Sequence, residues 1–135
     1  MPQRRRRSDC PIHFGLETFG DRWTLLVLRD LLLKGRSSYS DFLGAEERIA
    51  TNILADRLAR LQEDGLVVHG ADGRYRPTAK ALDLLPLLVE MILWSATYDQ
   101  DTAAPAAFIE RAREDRDALV AELRASCTPA EEPVP

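Results

Sequence analysis

The sequence predicts a mainly α-helical fold with one small β-hairpin. Two observations favour it. Over most of the 135 residues, apolar side chains recur at steps of three and four, which places them on one face of a helix. Only residues 66–77 break this period, where β-branched and aromatic residues flank a turn rich in glycine. A composition of 45% hydrophobic and 30% charged residues suits a single globular domain.

Two short helices are predicted first. Pro11 suits the first turn of a helix, Asp9 is its candidate cap, and Gly20 ends it. Asp21 is the candidate cap of the second helix, which ends near Gly35 because glycine is common just beyond a helix.

The next two helices form a helix-turn-helix pattern. Ser37 and Ser38 can cap a short third helix that Gly44 ends. The fourth helix, over 49–65, has the clearest helical period. Its narrow apolar stripe consists of Leu54, Leu58 and Leu61. A short loop over 44–48 joins the two helices.

After the fourth helix the period changes to that of strands. Residues 66–69 and 74–77 are two short runs, and the turn over 70–73 contains an Asp-Gly step, which is favoured in hairpins. Thr78 can cap a long apolar helix, in which Pro86 predicts a kink or a break. Three helices, a hairpin and a long helix in this order are typical of a winged helix-turn-helix.

The rest of the chain is predicted to be a linker over 99–105 and a last amphipathic helix, which Pro105 begins. Composition predicts disorder at both termini. The expected organisation is a basic arm over 1–8, a winged helix-turn-helix domain over 9–98, a linker and extra helix over 99–127, and a tail over 128–135.

Charge is distributed unevenly. Residues 1–80 carry 14 Lys and Arg against 11 Asp and Glu, a net charge of +3, whereas residues 81–135 carry 4 Arg against 11 acids, a net charge of −7. A basic front and an acidic rear are common in small DNA-binding proteins that have a separate association element. Chance scatter of surface charge is the alternative.

Motifs for catalysis, metal binding or membrane insertion are scarce. There is no glycine-rich phosphate loop and no GxSxG, and Cys10 and His13 share a helix face without a third or fourth ligand at suitable spacing. The apolar run 84–89 is shorter than the ~20 residues of a membrane span, and no long apolar segment follows the basic N-terminus. We expect no enzyme activity, cofactor, metal or membrane contact, and a cytoplasmic location.

The fourth helix has the residues to read DNA, since one α-helix fits the major groove. Asn52, Asp56 and Arg60 lie opposite its leucines, next to the small residues Ala55 and Ala59. Asn can pair with adenine and Arg with guanine. Arg57 projects to the flank, where it could reach a phosphate or pair with an acid of its own fold. The plainer alternative is that the arginines only solvate an amphipathic helix.

The hairpin offers a second basic surface. Arg74 and Arg76 flank Tyr75, and strand geometry places both arginines on one face, which suits a sugar-phosphate backbone. A merely solvated hairpin face is the alternative. The full set of candidate DNA-contacting residues is Arg36, Ser38, Thr51, Asn52, Asp56, Arg57, Arg60, Arg74 and Arg76.

Several motifs occur together in a fixed order over about residues 8–98. They are CPI at 10–12, GDRWTLLVLRDL at 20–31, YSDF at 39–42, ILADRL at 53–58 and EDGLV at 63–67, followed by Tyr75, Thr78, Leu85-Pro86 and Trp94. This combination resembles the HxlR-type winged helix regulators.

The resemblance implies a homodimeric bacterial transcription regulator that binds a pseudo-palindromic operator, usually as a repressor and sometimes as an activator. It implies dimerisation through the first helix and the long helix after the wing. It also implies sensing of oxidants or electrophiles by a cysteine placed like Cys10. Cys10 lies near a helix N-terminus, where a thiolate is favoured, and a buried inert thiol is the alternative.

Two features depart from the resemblance. Ala50 stands where the family usually has a capping Ser, so the cap is expected from elsewhere, such as Thr51. Residues 104–127 extend beyond the usual core and are expected to add to a dimer interface. Cys127, a candidate resolving partner for Cys10, is expected on a flexible acidic tail.

Other functions stay open. A winged helix can serve as a protein-interaction module without DNA, and a regulator can respond to a small-molecule inducer at the dimer interface rather than through a thiol. A thiol enzyme using Cys10 and His13 would need a pocket and a third group that orients the base.

Overall fold

The structure is a computed structural model, and it describes residues 7–130. Its elements are the helices α1 (Pro11–Phe19), α2 (Thr24–Leu33), α3 (Tyr39–Leu43) and α4 (Thr51–Glu63), the strands β1 (Val67–His69) and β2 (Tyr75–Pro77), and the helices α5 (Ala79–Leu82), α6 (Leu85–Tyr98), α7 (Ala106–Glu114) and α8 (Arg116–Ser126). The predicted mainly helical fold with one hairpin, in the order of a winged helix-turn-helix, is confirmed.

The first two helices begin in different ways. Cys10, not Asp9, occupies the cap position of α1, and no side chain caps that helix. Asp21 does cap the first turn of α2, because its Oδ2 accepts hydrogen bonds from the backbone N–H groups of Trp23 and Thr24 at 3.0 and 3.2 Å. The predicted cap of α2 is therefore confirmed and that of α1 is wrong.

The helix-turn-helix is fixed by a reciprocal cap at α3. Ser38 Oγ accepts from the N–H of Asp41, and Asp41 Oδ2 accepts from the N–H groups of Ser37 and Ser38, all at 3.1 Å. This arrangement satisfies backbone donors that a helix start leaves unpaired. It confirms Ser38 as the cap of α3.

The second helix of the helix-turn-helix is α4, and this helix has no side-chain cap. Ala50 occupies the cap position, and the helix begins at Thr51, so the expected cap from Thr51 is wrong. The carbonyl of Thr51 instead accepts a hydrogen bond from Tyr39 Oη at 3.0 Å. Because Leu54 and Leu58 are 0% and 2% exposed, the apolar stripe of α4 faces the core as predicted.

The wing is an antiparallel hairpin with Val68 opposite Arg76 and His69 opposite Tyr75. Its turn contains Gly73 at φ +81°, a conformation that favours glycine. The Tyr75 N–H donates to the carbonyl of Ser37 at 2.7 Å, and its ring stacks on His69 with centroids 4.1 Å apart. These contacts fix the wing against the loop that precedes α3.

The predicted break near Pro86 is confirmed. Thr78 Oγ1 accepts from the N–H of Ala81 and caps α5, and α6 then begins at Leu85 with Pro86 in its first turn. Proline is tolerated there because the first N–H groups of a helix have no intrahelical acceptor. The break therefore precedes the proline.

The expectation that no segment is apolar enough to span a membrane needs one correction, at α5 and α6. Ala79–Tyr98 is long and apolar enough by composition to cross a bilayer, with a mean hydropathy of 1.4, although no apolar run of that length was expected. The evidence for a membrane span is weak, because the core helix of a folded domain meets the same criterion. Here Leu85, Leu88 and Val89 are buried in the protein core, and the helix is interrupted after Leu82.

The C-terminal extension forms two helices, so the expectation of one last helix is wrong. They separate at Asp115, whose Oδ1 accepts from the Ala118 N–H at 3.0 Å and caps α8. Both helices pack on α6 of the same chain, where Val89, Ala112 and Leu119 form a small buried cluster.

The position of Cys127 also differs from the expectation of a flexible tail. Its side chain is half-buried against the core, and its Sγ lies 3.3 Å from the carbonyl oxygens of both Leu32 and Leu123. Burial raises the pKa of this thiol. The chain continues past it to Ala130, whose N–H donates to the carbonyl of Pro77 at 2.8 Å.

The main core lies between α2, α4, the hairpin and α6. Its largest fully buried side chains are Phe42, Leu28, Leu54, Leu58, Leu61, Leu66 and Leu85. This core holds α4 with one face inward and the other toward solvent.

Candidate nucleic-acid interface

The outward face of α4 is polar and composed of small residues. Thr51, Asn52 and Asp56 are exposed, Arg60 is half-exposed, and the exposed alanines between them are Ala55 and Ala59. Within residues 7–130, the side chains of Asn52 and Arg60 make no hydrogen bond or ion pair. The donors and acceptors of these two side chains therefore face solvent.

Arg57 is held by the protein itself. Its Nε donates to Asp21 Oδ2 at 2.7 Å, and its Nη1 lies 2.5 Å from Asp56 Oδ2. Burial opposes ionisation of Asp21, but hydrogen bonds from Thr24, Arg57 and the backbone outweigh it and lower the pKa of Asp21 to about 2. Of the two roles considered for Arg57, the structure shows pairing with an acid of its own fold.

Arg36 and Ser38 lie at the start of the helix-turn-helix and are both engaged. Arg36 Nη1 donates to Oδ1 of Asp30 at 3.0 Å, and Asp30 is only 2% exposed. Ser38 is occupied as the α3 cap. Both side chains are partly exposed, and Ser38 Oγ also lies 3.2 Å from Ser40 Oγ.

An ion-pair network, not foreseen in the sequence, links α2 to the loop before α4. Arg29 donates to Asp30 Oδ1 and, through both Nη atoms, to the two carboxylate oxygens of Glu47 at 2.7 and 2.9 Å. The bidentate contact with Arg29 lowers the pKa of Glu47 to about 2. The network fixes the loop that leads into α4. Arg29 and Glu47 are 18 residues apart in the sequence, so hydrophobic periodicity gives no signal for their contact.

The wing arginines also have partners in the protein. Arg74 Nη1 donates to Ser37 Oγ at 2.7 Å, and Arg76 forms a two-point ion pair with Asp72 at 2.5 and 3.0 Å. The hydrogen bonds from Arg76 lower the pKa of Asp72. Both arginines line one solvent-open cleft beside the wing.

A second surface is apolar and exposed. None of the residues of α1 is buried, and Ile12, Phe14 and Leu16 are 72%, 55% and 62% exposed. The end of α6 presents Trp94 and Tyr98, which are 67% and 74% exposed. Together these five side chains are called the α1–α6 apolar surface below.

Cys10 lies at the start of α1 and is exposed. The backbone N–H groups of His13 and Ile12, in the first turn of α1, favour the thiolate and lower the pKa of its thiol. The His13 ring lies 3.6 Å from Glu17. Among the described residues, no group of three or more His, Cys, Asp and Glu side chains is placed to hold a metal ion.

The tri-helical core, the antiparallel wing and the outward polar face of α4 define a winged helix-turn-helix protein. Residues 18–103 match the family described as HxlR-like helix-turn-helix, and the chain belongs to this family. The earlier resemblance is thereby confirmed. The helices α7 and α8 lie outside the matched residues.

The chain is also similar to a curated protein of Synechocystis sp. (strain ATCC 27184 / PCC 6803 / Kazusa), described as an uncharacterized HTH-type transcriptional regulator. The two are 28% identical over 88 residues, which cover 61% of this chain and 64% of the relative. The chain thus spans less than two thirds of that relative's length. No solved structure gives a significant match. The family and the relative are both described as helix-turn-helix proteins, in agreement with the fold.

Proposed function

We propose that this chain is a sequence-specific DNA-binding transcription regulator that acts as a repressor. The observation that carries the proposal is the outward face of α4. Three leucines fix the opposite face in the core, and Asn52 and Arg60 present unused donors and acceptors to solvent. A helix held in this way can enter the major groove, where Asn reads adenine and Arg reads guanine.

We assign different roles to the remaining candidate residues. Thr51 and Asp56 lie on the face that enters the groove, and Arg57 positions α4 through Asp21. Arg36 and Ser38 at the start of α3, and Arg74 and Arg76 on the wing, suit contacts with phosphates, which fix register without reading sequence. Residues 1–80 carry a net charge of +3, which also favours DNA as the partner.

The proposal includes a symmetric homodimer on a pseudo-palindromic operator. The α1–α6 apolar surface supports it, since its five large apolar side chains are exposed on two helices and exposed apolar surface commonly marks association sites. A dimer would place two α4 helices about one DNA turn apart, ~34 Å. Because the partner is DNA, we place the protein in the cytoplasm, and we assign it no catalytic activity, cofactor or metal.

A response to oxidants or electrophiles through Cys10 is a further part of the proposal. The exposed thiol and its lowered pKa support it, because the thiolate is the reactive form. Cys10 borders the α1–α6 apolar surface, so a modification there would alter the relative position of the two subunits.

The test is selection of DNA ligands from a random duplex library by the full chain, followed by mobility shifts at several salt concentrations. We expect enrichment of an inverted repeat and an affinity that falls steeply with salt. The Asn52→Ala/Arg60→Ala variant should bind without enriching any sequence. If the wild-type chain enriches nothing and shows no salt-dependent shift, a protein-interaction module becomes the better assignment.

A further inference from the structure

A cleft of about 310 Å³ opens between the end of α2, strand β2 and the end of α8. The family match ends at residue 103, so one wall of the cleft comes from the extension and not from the family core. The hydrogen bond from the Ala130 N–H to the Pro77 carbonyl holds Ala130 beside the wing.

The cleft is strongly basic. Three arginines line it, Arg36, Arg74 and Arg76, and no Asp or Glu is among the described residues that do so. The carboxylates paired with Arg36 and Arg76 belong to Asp30, which is buried, and to Asp72, which is exposed on the turn of the wing, and neither residue lines the cleft. An anion in the cleft would therefore meet cationic donors without facing a carboxylate.

Two of these guanidinium groups are held in place with donors to spare. Arg36 Nη1 is bound to the buried Asp30, and Arg74 Nη1 to Ser37 Oγ. A guanidinium has five N–H donors, and within residues 7–130 each of these two uses one of them for a protein acceptor. Groups fixed in this way lose little entropy when they bind a carboxylate.

The lining is also partly apolar. Leu31, Leu33, Tyr75 and Pro77 contribute carbon surface, and Ser37 and Thr128 add hydroxyl groups. A volume of about 310 Å³ is close to the lower end of the range for small-molecule sites, ~300–1,000 Å³. A simple inorganic anion would leave this apolar surface uncovered, whereas a small organic acid would cover it.

We propose that the cleft binds a small organic carboxylate, with its carboxylate on Arg36 and Arg74 and its apolar body against Tyr75 and Pro77. The proposal that this ligand acts as an effector rests on the proposed function. Arg74 and Arg76 are the residues assigned to DNA phosphates, and a bound carboxylate would neutralise the wing and weaken its contact with DNA.

Binding is tested on the full chain without DNA, by NMR titration with benzoate as the probe. We expect saturable shifts of the Arg36 and Arg74 Nε–Hε signals and of the Ser37 and Thr128 amides. Neutral benzamide should produce none of them. Equal responses to benzoate and benzamide would overturn the proposal. Phosphate binding as tight as that of benzoate would also overturn the proposal, since the cleft would then bind any anion without using its apolar lining.

The Arg74→Gln variant should weaken benzoate binding about tenfold, because it removes a charged donor from the exposed edge of the cleft. Arg113→Gln, on the outer surface of α7, is the matched control and should bind as the wild type does. Unchanged affinity in Arg74→Gln would contradict the proposed carboxylate position. Folding of both variants is checked by the backbone amide spectrum.

The effector role is tested separately with the DNA selected above. Benzoate should weaken operator affinity more than chloride does at the same ionic strength. If benzoate binds in the cleft and operator affinity stays the same, the effector role is wrong, but the proposal of a carboxylate site is still supported. If the chain binds no DNA, the proposed function fails, and the titration without DNA still decides whether the cleft is a carboxylate site.

Discussion

Arg57 and Asp21, which are 36 residues apart, join the middle of α4 to the junction of α1 and α2 through a 2.7 Å contact from Nε to Oδ2. Asp21 also caps α2. One carboxylate therefore fixes both the start of α2 and the rotation of α4 about its axis. Rotation matters because it determines which side chains of α4 face outward.

The first prediction concerns stability at low pH. The folded pKa of both Asp21 and Glu47 is about 2, below the ordinary values, so each carboxylate contributes stability that is fully present above about pH 5 and is lost as the pH falls toward 2. The free energy of unfolding should fall less steeply over this range in Asp21→Asn, which keeps a cap acceptor but does not titrate. Urea unfolding at several pH values measures this pH dependence of the free energy of unfolding.

The matched control for that experiment is Asp101→Asn, which removes one exposed carboxylate from the linker between α6 and α7. It corrects for the change in net charge. If Asp21→Asn and Asp101→Asn showed the same pH dependence, the contact between Asp21 and Arg57 would contribute nothing to stability.

The second prediction is that Ala50→Ser stabilises the protein. Ala50 has φ −68° and ψ 146°, an extended conformation suited to a cap, and α4 lacks a side-chain cap. A serine there can accept a backbone N–H and should add ~0.5–2 kcal/mol to the free energy of unfolding. Urea denaturation measures the gain. Ala121→Ser, at an exposed position within α8, is the control and should not stabilise. Equal effects of the two serines would contradict the prediction.

The third prediction separates base reading from backbone contact. Asn52→Ala and Arg60→Ala should each lose ~1–3 kcal/mol of discrimination between operator and a base-substituted operator. Arg74→Ala and Arg76→Ala should instead weaken binding to all sequences and reduce its salt dependence. Competition binding at several salt concentrations distinguishes the two patterns. A change of base preference in the wing variants alone would place the reading element on the hairpin.

The fourth prediction is a dimer at micromolar concentration, measured by sedimentation. Ile12→Glu or Trp94→Glu should shift the protein toward the monomer, because each places a charge on the α1–α6 apolar surface. Val68→Glu, at an exposed apolar residue on the wing, is the control and should leave the dimer intact. A stable wild-type monomer would rule out association through this surface at such concentrations.

The fifth prediction concerns the two thiols. Iodoacetamide should alkylate Cys10 in the native protein and Cys127 only after unfolding, because Cys10 is exposed with a lowered pKa and Cys127 is half-buried with a raised one. Mild peroxide should change operator binding in the wild type and leave Cys10→Ser unaffected. Unchanged wild-type binding after oxidation of Cys10 would end the sensing hypothesis.

Local chemistry explains what the sequence could predict. The α3 cap at Ser38, the break at Pro86 and the hairpin turn at Gly73 each follow from a residue type with one strong conformational preference. The break at Asp115 was missed because no glycine or proline marks it. There, an aspartate starts a new helix within a continuous amphipathic pattern.

Contacts between distant residues could not be predicted. Glu47 and Arg29 are brought together only by the packing of α2 on the loop before α4, and Arg57 finds Asp21 in the same way. The position of Cys127 was missed for a related reason. The composition around it is that of a tail, but its place is set by the contact of α8 with Leu32.

The absence of buried residues from α1 bears on its chemistry. Isolated helices shorter than ~12–15 residues are marginal in water, and the nine residues of α1 gain no stability from buried side chains of their own. The N–H groups that favour the Cys10 thiolate are aligned only while the first turn exists. An association that stabilised α1 and left the Cys10 thiol exposed would therefore increase the reactivity of Cys10. Thiol reactivity should then rise with protein concentration, so that self-association and redox chemistry are thermodynamically linked.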